Sequence, residues 1–292
     1  MHKAGFINMI GSPNVGKSTL ANQLVGDKLS IITPKAQTTR HRILGMVNDE
    51  NYQMIFSDLP GIVDPAYRLH KSMMNFIYQS LSDADIFLVV VEAGEKDFKD
   101  VSIKDKINSL DIPIVVALNK IDTIDQEILD EKIDFWQEQF PQAKIVPTSA
   151  LHKFNIESLK NLLLDLLPES PAYYPKDQFT DKSERFIVSE KIREQILIVY
   201  KKEVPYSTEV VISDFIREPN IIRIRAEIIV ERDSQKGILI GKAGSKLKLI
   251  GTNARLELEE FFQTKIFLEV FVKVDKNWRD NAQKLKKYGY EN

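Results

Sequence analysis

Short apolar runs alternate with amphipathic stretches over the first 167 residues of the chain. The runs at 4–10, 42–47, 52–57, 85–91, 112–118 and 144–147 read as strands, and the stretches at 16–26, 66–81, 99–109, 126–140 and 155–167 as helices. This alternation predicts an α/β domain, a mostly parallel sheet with helices on both faces. "DIFLVVVEAG" and "IPIVVALNK" are the most apolar runs. At about ten residues they reach half of a membrane span and read as buried parallel strands. The helix at 155–167 carries Ile156, Leu159, Leu162, Leu163 and Leu166 at helical spacing, with Asn155 as its expected N-cap. That face is expected to pack on the sheet rather than on a membrane surface.

The texture changes at "PESPAYYPKDQFTDKS" (168–183), which has three prolines and neither a helical nor a strand period. It reads as a linker. Beyond it the pattern predicts a helix at about 184–200, alternating strands at 207–216 and 221–230, a helical stretch at 243–262 and a strand at 265–274. This is an α+β unit of different design. The expected organisation is a domain at 1–167, a linker at 168–183 and a second domain with a C-terminal tail at 184–292. A length of 292 residues suits two domains of about 150 residues each.

Composition narrows the classes. Hydrophobic content of 43% and charged content of 28% are those of a globular protein with a sizeable core in each domain. A formal net charge of -2 gives no whole-chain basicity, so a nucleic-acid site must be a local patch. Cysteine is absent, which excludes disulfides, Cys-ligated zinc and a thiol nucleophile, and fits a reducing cytosol. The start of the chain lacks the basic segment and apolar run of a signal peptide. His2, His41, His70 and His152 show no metal-ligand spacing, and Trp136 and Trp278 read as packing residues.

The chemistry begins at "NMIGSPNVGKSTLANQL". Gly11, Gly16, Lys17 and Ser18 satisfy G-x-x-x-x-G-K-[ST] between a strand and a helix. Residues Gly11, Ser12, Pro13, Asn14, Val15, Gly16, Lys17, Ser18 and Thr19 are therefore expected to wrap phosphates. Backbone N–H groups at a helix N-terminus favour anions, Lys17 should reach the β and γ phosphates, and the Ser18 hydroxyl should ligate Mg²⁺. "DLPG" places Asp58 at a strand end, where it can hold Mg²⁺ through water, and Gly61 where its N–H can meet the γ-phosphate. "LNKID" supplies Asn119, Lys120 and Asp122 after a buried strand. Guanine presents two adjacent donors to one carboxylate, whereas adenine would leave Asp122 unpaired, so the base is guanine. "TSA" (Thr148, Ser149, Ala150) offers Ser149 and the Ala150 N–H to the base. In "KAQTTRHRI", Thr38 or Thr39 can complete the Mg²⁺ shell, and Thr39 is the expected one.

In the second domain, "GILIGKAGSKLKLIG" contains Gly241-Lys242-Ala243-Gly244, a G-x-x-G followed by a helix. Alone it is a weak signal and reads better as a glycine helix junction. The order helix–strand–strand–helix–G-x-x-G–helix–strand suits a KH module, whose loop clamps single-stranded RNA backbone. From Arg232 to Lys248 five basic residues (Arg232, Lys236, Lys242, Lys246, Lys248) stand against Asp233 alone.

Together "GSPNVGKS", "KAQTTRHRI", "DLPG", "NKID" and "TSA" resemble the translation-factor-related GTPases of the TrmE-Era-EngA-like group. The C-terminal type II KH pattern makes the chain similar to the Era branch over nearly its whole length. The resemblance implies GTP/GDP and Mg²⁺ as ligands and a ribosome-assembly role. The expected RNA is the 3′ end of small-subunit ribosomal RNA in the pre-ribosomal small subunit. It also implies a cytoplasmic, monomeric protein with peripheral inner-membrane contact. Leu59 departs from the threonine usual in the family's "DTPG".

Lys17, Thr39 and Gly61 are the expected catalytic positions, since phosphoryl transfer needs positioning and charge neutralisation above all. Ile62 stands where many small GTPases carry a water-orienting glutamine, so hydrolysis should be slow, on the order of 10⁻⁴ to 10⁻² per second. Asn14 matches an asparagine that helps bind K⁺ in potassium-activated relatives; bracing the turn is the equal reading. Three functions compete: a GTP-driven switch on RNA binding, an RNA-binding assembly chaperone whose nucleotide is structural, and a membrane-surface GTPase with an incidental basic patch.

Overall fold

The apolar runs of the N-terminal half become β1 (Lys3–Ile10), β2 (Ile43–Asn48), β3 (Tyr52–Asp58), β4 (Ile86–Glu92), β5 (Ile114–Asn119) and β6 (Lys144–Pro147). They form one sheet in the order β2-β3-β1-β4-β5-β6, parallel except for the antiparallel edge strand β2. A computed structural model describes residues 1–291. It divides the chain into one unit of Met1–Pro65 with Met73–Asp181 and another of Ala66–Ser72 with Lys182–Asn292.

Both faces of the sheet are covered, which is why β4 and β5 are apolar without alternation. On one face α1 (Lys17–Val25) and α5 (Ile156–Leu166) bury Leu20, Leu24, Leu159 and Leu163 against Ile7, Met9, Leu88 and Val90. On the other, α3 (Val101–Ser109) and α4 (Gln126–Gln139) pack Ile103, Ile107 and Trp136 against Phe87, Val89 and Val116. Met74 and Ile77 of α2 (Arg68–Ser80) join that cluster. The strand order changes direction between β1 and β4, and the loops at their carboxyl ends form the crevice where such sheets bind ligands.

Two local readings are corrected. Asn155 precedes α5 but is left-handed (φ 60°) and makes no side-chain cap; its Nδ2 donates instead to Pro147 O at 3.0 Å. The prolines of 168–181 do not release the chain from the sheet. Met46 N donates to Phe179 O at 2.9 Å, Leu44 N to Asp181 Oδ1 at 2.9 Å and Thr180 Oγ1 to Leu44 O at 2.7 Å. Gln53 accepts from Tyr173 N and Tyr174 N at 2.8 and 3.0 Å and donates to Tyr174 O at 2.9 Å. This strap covers the free edge of β2, as exposed strand edges need.

In the second unit β7 (Glu209–Glu218) and β8 (Ile221–Val230) are antiparallel, and β9 (Lys265–Val274) runs parallel to β8. α6 (Glu184–Val199), α7 (Asp233–Ile240) and α8 (Ser245–Phe262) contribute Val188, Ile192, Leu239, Ile250, Ala254 and Leu258 to its core, beside Ile222, Ile224, Ala226 and Ile228. A short α9 (Ala282–Lys287) follows in what the sequence showed only as a tail. The helical stretch read at 243–262 begins at Ser245, because Ala243 and Gly244 take left-handed conformations. Arg193 is fully enclosed and donates to both carboxylate oxygens of Glu190 at 2.7 and 2.6 Å.

Candidate nucleotide site and nucleic-acid interface

At the carboxyl end of β1 the chain turns through Gly11–Gly16 into α1, beside a cavity of about 450 Å³ lined by Pro13, Asn14, Gly16, Lys17, Ser18 and Thr19. Gly16 has φ +99° and a Cβ there would stand 2.3 Å from Asn119 Nδ2, so only glycine fits. Asn14 is also left-handed (φ 67°) and lines the cavity. Gly11, Ser12 and Val15 are buried behind it. Lys17 Nζ donates to Gly11 O at 3.0 Å and Ser12 O at 2.8 Å, and burial pushes its pKa down to about 8 against the pull of Asp58 and Glu95. The ammonium thus waits across the loop, where phosphate oxygens can replace the two carbonyls.

Thr39, Ser18 and Asp58 meet at one point. Ser18 Oγ and Thr39 Oγ1 are 2.8 Å apart, and Thr39 Oγ1 donates to Asp58 Oδ2 at 3.3 Å. Thr38 lines the cavity too, but its hydroxyl donates to Lys35 O at 2.6 Å. Asp58 Oδ1 is buried without a hydrogen-bond partner, and burial raises its pKa, opposed by the hydroxyls of Ser30, Ser18 and Thr39 and by Lys17. An orphaned carboxylate oxygen among hydroxyls is a donor set of the hard, all-oxygen kind that suits Mg²⁺. Gly61 lines the same cavity. Ile62 does not: it is buried in the core, and its N–H donates to Gly11 O at 3.2 Å.

At the other end of the cavity Asn119 ties two loops together. Its Nδ2 donates to Val15 O at 2.8 Å, and its Oδ1 accepts from Ala150 N at 2.9 Å. Ser149 Oγ donates to Asp122 Oδ1 at 2.5 Å, which fixes the carboxylate, and Thr148 is buried beneath. Lys120, Asp122 and Ala150 line the cavity. Lys120 is left-handed (φ 62°) and forms an ion pair with Glu92.

Sequence reasoning missed Ile31, Ile32, Thr33, Pro34 and Lys35, which line the Thr39 side, and Glu92 and Glu95 beneath the loops. A loop's path across a pocket leaves no periodic signal, whereas Glu92 ends β4 and Glu95 stands in the turn just after it.

In the second unit the G-x-x-G turn joins α7 to α8. Gly241 has φ 70° and ψ 179°, and a Cβ there would stand 2.9 Å from Lys246 Cγ. Lys242 and Ala243 are exposed, and Gly244 N donates to Gly241 O at 3.2 Å. Gly244 and Lys248 line a groove of about 350 Å³ with Leu247, Gly251, Thr252, Arg255, Leu268 and Val270. Lys246 folds over the ring of Tyr200, 5.0 Å from its centroid, and Lys236 is half-buried in α7. Thr252 and Arg255 continue the helical row of Gly244 and Lys248, a spacing that could have revealed them. Among the described residues there is no His/Cys/Asp/Glu group of metal-binding size.

Residues 6–120 match the family described as 50S ribosome-binding GTPase, and residues 203–279 match the KH domain family. GTPase Era of Syntrophus aciditrophicus (strain SB) is 46% identical, with 99% of this chain and 96% of that protein aligned. GTPase Era of Geobacter sp. (strain M21) is 44% identical over 99% and 98%. Two solved structures superimpose with a TM-score of 0.95 at 39% identity. One is Era in complex with MgGDPNP and nucleotides 1506-1542 of 16S ribosomal RNA, covering 100% of both chains. The other is a variant Aquifex aeolicus Era bound to GDP.AlF4-, covering 99% of this chain and 100% of that one. With a relative this similar aligned from end to end, the chain belongs to the Era family of GTPases.

Proposed function

We propose that the protein binds GTP in the cavity at the end of β1, hydrolyses it slowly, and uses the bound nucleotide to set the grip of its KH domain on the 3′ end of small-subunit ribosomal RNA during assembly of that subunit. The observation that carries this is the Asn119 side chain, which bonds the phosphate loop through Val15 O and the base loop through Ala150 N. It thereby makes one site of the Lys17 and Asp122 ends. Relatives with the same whole-chain fold hold MgGDPNP with 16S RNA and GDP.AlF4-.

The residues divide the work by chemistry. Asp122 accepts the paired N–H groups of guanine, and Lys120 lies along the ring. Lys17 and the loop N–H groups neutralise phosphate charge, and Gly61 N–H meets the γ-phosphate. Ser18, Thr39 and Asp58 would hold Mg²⁺, which supplies further charge neutralisation on the phosphates. No side chain at Ile62 can orient the attacking water, since it is apolar and packed into the core. That favours slow turnover. Asn14, at the mouth of the phosphate loop, is the candidate K⁺ ligand, so KCl should stimulate where NaCl does not.

On the RNA side, Gly241 to Gly244 admit the backbone to N–H groups, with Lys242, Lys248, Lys236 and Lys246 supplying charge. The protein acts as a monomer in the cytoplasm with peripheral contact to the inner membrane; no helix among the described residues is long and apolar enough to cross one. The deciding measurement is affinity for a 3′-terminal small-subunit RNA fragment with GTP analogue, GDP or no nucleotide. Distinct affinities that collapse to one value in Asp122→Asn support a switch. Equal affinities throughout would leave an RNA chaperone with a structural nucleotide.

A further inference from the structure

We propose that Glu92 is a positioning residue for guanine-nucleotide binding: its carboxylate holds the Lys120 ammonium so that the lysine stem stands as a fixed wall at the base end of the cavity. This rests on the guanine-nucleotide reading of that cavity and names a residue outside the motifs that define it.

Glu92 ends β4 directly beside Asn119, its register partner on β5. Its backbone is tied down on every side. Glu92 N donates to Glu95 Oε2 at 3.3 Å, and Glu95 N returns a bond to Glu92 O at 2.9 Å. Ala93 N donates to Asn119 O at 2.9 Å, and Lys132 of α4 donates to Glu95 O at 2.7 Å. The carboxylate is therefore presented from a rigid turn next to the base loop, and it pairs with Lys120 Nζ.

Lys120 needs such an anchor. Its backbone is left-handed, a conformation a residue with a Cβ keeps only where its surroundings hold it. Both neighbouring side chains of the motif are already engaged: Asn119 with Val15 and Ala150, Asp122 with Ser149. A lysine stem free in solvent would lose its rotamer freedom when a purine closed on it. Pairing with Glu92 removes that freedom before the ligand arrives. The two side chains are 39% and 35% exposed, and pairs at that exposure contribute little to fold stability. The effect therefore belongs in ligand affinity.

The test is a double-variant cycle. GDP and ATP affinities are measured by calorimetry with Mg²⁺ for the wild type, Glu92→Gln, Lys120→Met and the double variant. GTP turnover and nucleotide-free thermal unfolding are recorded for each. Glu92→Gln should weaken GDP binding about three- to tenfold, the freedom of one long side chain, raise KM with kcat unchanged, and leave the unfolding midpoint in place. It should do nothing further in the Lys120→Met background. Wild-type affinity in Glu92→Gln, or an equal loss in both backgrounds, overturns the proposal while the guanine site stands. A wild type that does not prefer GDP over ATP removes the guanine reading and the proposal with it.

Discussion

The hydroxyls of Thr39 and Ser18 lie 2.8 Å apart, and Thr39 also reaches the buried carboxylate of Asp58, while Thr38 next to it bonds Lys35 O. Two adjacent threonines of the same loop therefore have separate fates. Thr39→Ala should lower Mg²⁺-dependent GTP turnover by about 10- to 100-fold, the range seen when a group that orients a metal shell is removed. Thr38→Ala should retain most of it. Single-turnover rates across a Mg²⁺ titration check this, and equal losses would assign the role to the loop as a whole.

Lys17 gives a prediction in pH. In nucleotide- and metal-free protein its pKa falls from 10.5 to about 8 through burial. Between those values the unfolded chain keeps a proton that the folded chain has released, so its contribution to stability rises with pH. Below about pH 8 the folded state bears the full cost of burying the ammonium. Lys17→Met should therefore unfold at a higher temperature than the wild type at pH 7, with the gap closing toward pH 10, while losing GDP binding. A gap constant with pH would show that packing, not charge, separates them.

Asp122→Asn keeps the shape of the base site but replaces one acceptor oxygen by a donor facing the N1–H and amine of guanine. GTP affinity should fall by at least about 100-fold, because buried donors are left facing each other. Xanthine carries a carbonyl where guanine carries its amine, and XTP should bind the variant better than GTP does. Competition binding with the two nucleotides reads the exchange directly.

For the KH groove, Lys248→Ala should weaken binding of a 3′-terminal small-subunit RNA fragment about equally for all sequences. It should also reduce the slope of log affinity against log salt by roughly 0.7, one phosphate contact on a single strand. Gly244→Asp introduces a carboxylate at the turn and should abolish most binding without unfolding the unit, as circular dichroism would record.

Stability of the second unit hangs on a buried charge. Arg193 is enclosed, and its guanidinium is held charged by the Glu190 carboxylate, with Tyr290 and Glu209 adding to the same field. Glu190→Ala would remove the carboxylate that pairs with it directly, leaving the buried guanidinium to the weaker field of Glu209 and Tyr290, and should cost up to about 3–5 kcal/mol. Replacing both partners by apolar side chains should cost far less. Urea unfolding of the single and double variants separates the two cases.

The site was legible because its parts are local: each motif is a few residues at a strand end, and Gly16, Asn119 and Asp122 meet only because parallel strands deliver their loops to the same edge. What escaped is what depends on long-range pairing. Glu92 reads as the end of an apolar strand until β5 places Lys120 beside it. Asn155 reads as a cap because the chemistry allows it, but Pro147 O offered a better partner. The G-x-x-G segment was visible, yet its helix started two residues late because left-handed Ala243 and Gly244 cannot be told from helix by composition.

The strap at 168–181 decides where this protein can be cut. A fragment ending after α5 would retain every residue that lines the cavity at the end of β1 yet leave Leu44 and Met46 amides on β2 open to any passing strand. Such a fragment should associate with itself through that edge, and one extended to Asp181 should stay monodisperse. A segment that looks like spacer is thus the selvedge of the GTPase sheet.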